Sequence, residues 1–511
     1  MANPTYDVIV VGAGSAGATL ATRLSEDPAR SVMLIEAGPD YANFDELPDE
    51  IRQGHATGTD LAVDPSGIHN WAFTAKATPL HTDMPVPRGK ITGGTSAING
   101  QVYLRAIPED FDMWVADGND EWSYDKSLPY MIKLENDLDR VDQYHGNEGP
   151  IVVRRYQPDE LVDDQAAFIE AVTDAGFART EDHNHPASSG VGPLPLNNPD
   201  GIRWSTALGY LTMARDRPNF TLSADSHTTR VLIENKKAVG IEYEKNGELR
   251  QAYAREVVLS AGPIGSPHLL MLSGLGRKEQ LEAVGIEVIA DMRGVGQNLR
   301  DHPSVAVRWH ADDDFPMPDV DTGPQKTALR YTAQGSEDRN DMIAVMRWNS
   351  PLREFMMSAG LYLAKASGEL RLVSADSHDQ PELDYHLLDH PNDLERMRAG
   401  VRMQIELGKH SAYKGILEEL KDPAPADLES DETLDTWLLS NASTMHHISC
   451  TARMGAADDP MAVTNQYGQV HGIEGLRVAD LSIMPDCPRA NTNSPAMMIG
   501  ERIADFIKAA P

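Results

Sequence analysis

The sequence has only two cysteines, few basic residues for its acid content and no long apolar run. In 511 residues, 45 Lys and Arg stand against 78 Asp and Glu, a formal net charge of −33. Such a charge repels nucleic acid and anionic membrane surfaces, so we expect neither as a partner. No apolar segment approaches the roughly 20 residues that span a bilayer, and the first residues do not form a basic, apolar and cleavable leader. A cytoplasmic location is the default expectation.

The cysteines and the acidic runs each allow a more specific interpretation. Cys450 and Cys487 could be paired or free; reduced thiols are favoured, because nothing else indicates an oxidising compartment. The acid surplus indicates a heavily solvated surface or, as the less favoured alternative, adaptation to salt. The acidic runs at 311–314 and 430–432 are expected to form loops or helix starts. They lack the loop that would fix a cation, so no metal site is predicted.

The N-terminus has the pattern of a dinucleotide site. Residues 6–11 read as a buried strand, a Gly-Ala-Gly-Ser-Ala-Gly loop follows at 12–17, and residues 18–24 continue with helical apolar spacing. In this pattern Gly12 makes the tight turn, Gly14 lets the backbone approach a pyrophosphate, and Gly17 lets the helix pack on the strand. Glu36 ends the second strand, where a ribose hydroxyl acceptor is expected. These features alone do not separate FAD from a nicotinamide.

The most informative segment lies at residues 444–501. It contains TMHHISCTARMG and, after a short apolar strand, MPDCPRANTNSPAMMIGERIAD. A histidine before a Thr-x-x-Met-Gly turn and an asparagine before a Gly-Glu-Arg helix supply two polar groups that could converge on one hydroxyl. This pairing indicates alcohol oxidation.

Several segments together resemble the glucose–methanol–choline (GMC) oxidoreductases. They are residues 89–112, residues 262–276, the Val-Gly-Gln-Asn-Leu-Arg-Asp-His run at 295–302 and the C-terminal segment. The resemblance implies FAD as cofactor and likeness to choline dehydrogenases, aryl-alcohol oxidases and, in the C-terminal segment, hydroxymethylfurfural oxidases. Two residues depart from the family pattern. Thr92 replaces an aliphatic residue, and Ile98 stands where some members tether the flavin through histidine, so non-covalent FAD is expected.

The resemblance also implies an α/β fold with a discontinuous, Rossmann-like FAD-binding domain. Residues 1–155, 200–303 and 441–511 are assigned to that domain, and residues 156–199 and 304–440 to a substrate-binding domain of sheet and helices. From the residues, 222–262 alternate as strands with turns at Asn235 and Asn246. Residues 369–373 are predicted as a short strand, and an amphipathic helix is predicted near 393–408.

The resemblance further assigns individual site residues. His447 takes the position of the catalytic base and Asn491 that of its partner. From its place beside the base, His446 is expected to line the substrate pocket or to pack behind it, and Met445 is expected as an apolar residue of the pocket. In an extended chain the two histidines would point to opposite faces, so only one is expected to face the flavin. A zinc site at the pair is not expected, because no other ligands lie at metal spacing. Val231 is expected to meet the adenine with its backbone. The full set of predicted cofactor contacts is Gly12, Gly14, Ser15, Ala16, Gly17, Glu36, Ala37, Gly93, Gly94, Asn99, Gly100, Val102, Val231, Ala261, Ala479, Asp480, Asn491 and Thr492.

The predicted reaction is oxidation of a primary alcohol to an aldehyde. His447 would accept the hydroxyl proton while the hydrogen on carbon passes to FAD, and Asn491 would hydrogen-bond the oxygen. The expected substrates are aromatic or heteroaromatic alcohols with a polar substituent, furfuryl, benzyl or pyridoxine-like, with oxygen as acceptor slightly favoured over a dye or quinone. The alternatives are a dehydrogenase with another acceptor, choline being the second substrate, a flavin-containing hydroxynitrile lyase, and a non-catalytic flavoprotein.

Overall fold

Two seven-stranded sheets form the framework of the α/β fold, in agreement with the predicted fold class. The computed structural model describes residues 5–319, 322–323 and 325–509. The first sheet has the strand order Ser226–Glu234, Lys237–Lys245, Glu248–Leu259, Thr5–Val11, Val32–Ile35 and Phe220–Ser223, with Leu476–Val478 beside Glu248–Leu259. The second has the order Leu417–Asp422, Pro303–Ala311, Glu354–Leu361, Met342–Asn349, Thr327–Tyr331 and Gly190–Pro193, with Ser443–Thr444 beside Pro303–Ala311.

The centre of the first sheet is parallel and buried. Thr5–Val11 lies parallel to Val32–Ile35 on one side and to the end of Glu248–Leu259 on the other. Parallel strands covered on both faces need continuous apolar runs, and residues 8–11 and 32–35 are accordingly buried throughout. The predicted turns at Asn235 and Asn246 are confirmed, since both residues have positive φ, 51° and 54°, between antiparallel strands.

Helices and short strands cover and connect the two sheets. The α-helices are Ser15–Leu24, Asp49–Arg52, Ala56–Ala62, Pro108–Ala116, Tyr124–Leu134, Asp163–Asp174, Thr212–Ala214, Gly262–Leu272, Lys278–Ala283, Pro391–Gly408, Asp431–Asn441 and Asn493–Ala509, and a π-helical turn occupies Ala207–Leu211. The remaining strands are Phe73–Ala75, Met84–Val86, Glu135–Asp137, Ile151–Arg155, Pro195–Leu196, Leu275–Gly276, Ala290–Asp291, Glu369–Arg371 and Glu382–Asp384. No helix in the described ranges has the length and apolar character needed to cross a membrane.

The local predictions agree with these bounds. The amphipathic helix is Pro391–Gly408 and the short strand is Glu369–Arg371. The acidic run at 430–432 begins a helix, because the Ser430 hydroxyl accepts the Thr433 N–H as its N-cap. Cys450 and Cys487 are both buried free thiols. The domain boundaries stay a prediction, although the second sheet takes Ser443–Thr444 from a range that was assigned to the FAD-binding domain.

Buried charges connect two short strands beside the second sheet. Among the described residues, Glu135, Asp137 and His145 alone bring three possible metal-ligand groups together. Each already has a protein partner. The His145 ring lies 3.1 Å from Glu135 and 2.9 Å from Asp182, and the Arg155 guanidinium lies 2.8 Å from Asp137. Burial alone would lower the pKa of His145, but hydrogen bonds to the three carboxylates raise it to about 10. The cluster is therefore an ion-pair network with a protonated histidine.

We expect His145→Gln to lower the melting temperature most below pH 6.5. The raised folded-state pKa means that the stabilisation by His145 is fully present below the unfolded value of about 6.5 and is lost as pH rises through about 10. Breaking a buried ion pair costs about 3–5 kcal/mol. Thermal unfolding of the holoenzyme at pH 6, 8 and 10 measures the difference. His386→Gln is the control, since that ring pairs with Asp384 at the surface; a His145 effect that does not change with pH would contradict this assignment.

Candidate active site

A cavity of about 780 Å³ is lined by residues of both sheets. Its size is in the range of sites that enclose an organic ligand. The first sheet contributes the loop after its first strand and the end of its second strand. The second sheet contributes one face of three neighbouring strands, and residues 441–448 and 491–493 lie between these two sides.

The N-terminal loop forms an anion site at one end of the cavity. Gly12 has φ +98°, and a Cβ there would lie 2.5 Å from the Ser260 carbonyl oxygen. A Cβ on Gly17 would lie 1.9 Å from the Gly12 carbonyl oxygen, so strand and helix meet this closely only with glycine. Ser15 and Ala16 begin the helix and line the cavity. The first amides of a helix have no partner within it, and they favour a phosphate.

Glu36 closes the same end of the cavity. Its carboxylate accepts the N–H groups of Ala13 and Gly38, both at 2.9 Å. Burial raises the pKa of Glu36 to about 7 in spite of these hydrogen bonds. Each carboxylate oxygen has a second lone pair, so the side chain can still accept from a hydroxyl in the cavity. The glycine loop, the free amides and this acceptor fit the dinucleotide part of FAD.

Most of the predicted cofactor residues line the cavity. Those that do are Gly14, Ser15, Ala16, Glu36, Ala37, Gly94, Asn99, Gly100, Val102, Ala261, Asp480, Asn491 and Thr492. Gly12, Gly17, Gly93, Val231 and Ala479 do not, and the first three shape the backbone behind it. The Val231 N–H donates to the Ser273 hydroxyl at 2.8 Å and its side chain is buried in the core. Residues 226–228, earlier on the same strand, reach the cavity instead.

Thr92 and Ile98, the two residues that depart from the family pattern, lie in different surroundings. Ile98 lines the cavity, where its alkyl side chain offers no atom for a covalent bond to flavin. Thr92 has a different contact: its hydroxyl donates to the Asp40 carboxylate at 2.8 Å.

The histidine pair lies where the catalytic segment leaves the second sheet. Ser443–Thr444 pairs antiparallel with Pro303–Ser304, and Ser449 bridges Arg300. Between these contacts His446 has φ +67°. The chain is therefore not extended there, so the alternation that would keep one ring from the flavin does not apply, and both His446 and His447 line the cavity.

Residues 301–302 hold His447 in place. The Asp301 carboxylate accepts the backbone N–H of His447 at 2.9 Å and that of His302 at 2.6 Å. The His447 and His302 rings meet edge to face with their Nδ1 atoms 2.8 Å apart. Behind this contact, His302 Nε2 lies 3.1 Å from the Cys487 sulfur.

One hydrogen bond joins the two rings. Burial lowers the pKa of His302 to about 3, and burial with the nearby His302, His446 and Arg88 lowers the pKa of His447 well below 6.5. Both rings are thus neutral at pH 7, each with one N–H. Across the 2.8 Å contact one Nδ1 atom therefore donates and the other accepts. When His447 is the donor, its Nε2 atom keeps a free lone pair.

The other predicted site residues lie at the same cavity. Asn491 and Met445 both line it and are half-buried. Met445 packs against the second sheet, where a Cβ on Gly360 would lie 2.6 Å from its sulfur. The His446 side chain is exposed to the cavity. Its depth within the protein, together with Arg88 and Arg347, lowers its pKa to about 3, so this ring is neutral too.

Sequence reasoning missed several residues at this site. Asp301 and His302 belong to the Val-Gly-Gln-Asn-Leu-Arg-Asp-His run. This run formed part of the family resemblance, but no function was assigned to its residues from the sequence. Arg88, Arg308 and Arg347 also line the cavity. Arg308 and Arg347 lie on strands, and alternation along a strand predicts which of its side chains share a face. Only the pairing of the strands in the sheet shows that this face lines the cavity.

Comparisons with known proteins agree with this geometry. Two family models, both described as GMC oxidoreductase, match residues 6–304 and 364–500. An oxygen-dependent choline dehydrogenase of Photobacterium profundum is 35% identical, with 99% of this chain and 93% of that protein covered. The mitochondrial choline dehydrogenase of Homo sapiens is 33% identical, with 99% and 90% covered. The crystal structure of pyridoxine 4-oxidase from Mesorbium loti has a TM-score of 0.92 at 28% identity, with 99% and 100% covered.

The chain therefore belongs to the GMC oxidoreductases. It is an FAD-dependent oxidoreductase that acts on alcohols, as the sequence predicted.

Proposed function

We propose that the protein oxidises a primary alcohol on an aromatic or heteroaromatic ring to the aldehyde, with oxygen as the electron acceptor. The observation that carries this proposal is the 2.8 Å contact between the Nδ1 atoms of His447 and His302 at a cavity that Asn491 also lines. His447 is proposed as the donor in this contact, which leaves its Nε2 lone pair free. The apolar Met445 beside them offers a surface for a flat ring. The similarity to pyridoxine 4-oxidase supports a heteroaromatic substrate.

FAD is proposed to lie with its dinucleotide part along the first sheet. The amides at Ser15 and Ala16 would bind the pyrophosphate and Glu36 a ribose hydroxyl. When bound, FAD supplies the two-electron acceptor for the hydrogen that leaves the alcohol carbon with its electron pair. Ile98 leaves the cofactor non-covalently held.

The proposed chemistry of the protein is a positioned proton transfer. His447 Nε2 accepts the hydroxyl proton as the C–H bond breaks, and the two electrons of the O–H bond form the C=O bond. The Asn491 amide donates to the hydroxyl oxygen. His447 becomes an imidazolium whose Nδ1–H remains bonded to neutral His302, so ring orientation is kept through the step.

Choline is the second candidate substrate, because choline dehydrogenases are among the relatives. Adding benzyl, furfuryl and pyridyl carbinols and choline to the anaerobic holoenzyme, then admitting air, separates the possibilities. We expect the aromatic alcohols to bleach the flavin faster than choline, and air to restore it with peroxide formation. Faster bleaching by choline would reverse the substrate assignment, reoxidation without peroxide would assign another acceptor, and no bleaching by any alcohol would favour a lyase.

Glu36→Lys should lower the FAD content of the purified protein by about tenfold or more, because it replaces the proposed ribose acceptor with a cation. Acid precipitation followed by absorbance of the supernatant measures the flavin, which is all released if FAD is non-covalent. Glu46→Lys makes the same charge change at an exposed position and is the control. Flavin retained in the pellet would contradict the non-covalent assignment, and normal FAD content in Glu36→Lys would remove Glu36 from the site.

His447→Ala should slow flavin reduction by about 10²–10⁴, the usual effect of one positioned acid or base. His446→Ala should change the ranking of substrates more than the limiting rate, because the neutral ring lines the cavity without a link to His302. Single-turnover reduction with several alcohols measures both. The reverse pattern would move the base to His446.

His302→Leu should slow flavin reduction by about 10- to 100-fold. This is a smaller loss than the roughly 10²–10⁴ expected for removal of the base itself. Without the acceptor, His447 is free to take the tautomer whose Nε2 carries the proton. The dissociation constant of the alcohol should stay unchanged, and His302→Gln, which can present an amide oxygen, should recover part of the rate. Cys450→Ala is the control, a buried change in the same segment whose thiol donates to the Ser449 hydroxyl at 3.2 Å. A wild-type rate in His302→Leu would contradict this positioning role.

A further inference from the structure

Two arginines lie on the cavity face of the second sheet. Arg308 on Pro303–Ala311 and Arg347 on Met342–Asn349 are both in register with Met356 on the strand between them. Residues in register on adjacent strands point to the same face. Both arginines line the cavity, so this face presents two guanidinium groups side by side.

The arginine row is separated from the catalytic end by one intervening row. Val345, Ser358 and Ala306 form the intervening row, and the following row contains Gly360, which touches Met445. At about 3.4 Å per residue, four residues place the arginine row roughly 14 Å along the sheet from the Gly360 row. The long Arg347 side chain covers part of that distance, since its charge acts on His446.

The charges around the arginines do not balance. Glu354 is shared between Lys421 and Arg308, the latter at 3.6 Å. Arg347 forms no ion pair or hydrogen bond with the described residues, and its Nε atom is buried without a partner. Asp60 is the carboxylate whose charge acts on Arg347, but it lies beyond the 4.0 Å of an ion pair. Arg347 is therefore left without a carboxylate at ion-pair distance among the described residues.

We propose that Arg347, assisted by Arg308, binds an anionic substituent on the ring of the substrate, at the end remote from the reacting hydroxymethyl group. A carboxylate is the group that a planar guanidinium binds best, through two parallel hydrogen bonds. The proposal rests on the proposed function and specifies its substrate class as an aromatic primary alcohol that carries a carboxylate.

The same arrangement disfavours a cationic substrate. A trimethylammonium group at the arginine row would meet two like charges, and repulsion between like charges is strong where water is excluded. The surface of the protein is acidic, with a formal net charge of −33, so the basic row is a local feature of the cavity and not a result of composition.

Equilibrium binding tests the anion site without turnover. The probes are 4-methylbenzoate and its neutral isostere 4-methylbenzamide, which lack the reacting hydroxyl, titrated into oxidised holoenzyme by calorimetry. We expect the wild type to bind the acid about 10- to 100-fold more tightly than the amide, the range for a charge-assisted pair. Arg347→Met should remove that preference and Arg347→Lys should keep part of it. Arg255→Met removes an exposed charge far from the cavity and should leave the preference intact.

Turnover provides the second readout. Wild-type kcat/KM for 4-(hydroxymethyl)benzoate should exceed that for 4-(hydroxymethyl)benzamide by a similar factor, and the factor should vanish in Arg347→Met. Equal binding of the two probes by the wild type would overturn the proposal without any variant. It would also be overturned if Arg347→Met kept the acid preference, or if that variant lost FAD instead of acid binding. Acid binding without oxidation of either alcohol would support the anion site and contradict the proposed function.

Discussion

The structure of the site depends on one short antiparallel pairing, between residues 300–304 and 443–449. The Asp301 carboxylate fixes this pairing, because it accepts two backbone N–H groups and the Thr444 hydroxyl. Burial raises its pKa to about 6 against those hydrogen bonds, so the contact carries a substantial desolvation cost. The pairing joins residues 443–449 to the second sheet and brings the His302 ring into contact with His447.

The two sheets supply different kinds of recognition to one cavity. The first presents backbone amides and the Glu36 carboxylate at the carboxyl ends of parallel strands, which suits a cofactor common to a whole family. The second presents side chains from an antiparallel face, where alternate positions of three strands can be exchanged without a change in the backbone. Under the proposed function, specificity for the substrate would belong to the rows that hold Val345 and Arg347, and the chemistry to the segment between the sheets.

Sequence reasoning reached the parts of the site that short patterns encode. The glycine loop, Glu36 and the helix ends follow local rules, and the family register located His447 and Asn491 at one cavity. It failed where a contact depends on chain segments far apart. The positive φ of His446 lies between chain pairings on both sides of it. The contact of the Val231 N–H with the Ser273 hydroxyl, 42 residues away, was likewise not encoded in a short pattern.

The low proton affinity of His447 has a consequence for how the reaction is coupled. An imidazole whose pKa lies well below 6.5 cannot hold the proton of a free alcohol. In the proposed reaction His447 accepts that proton as the carbon loses its hydrogen and the oxygen becomes a carbonyl, so that proton transfer and C–H cleavage support each other. The positive charge of Arg88 opposes formation of the imidazolium at His447.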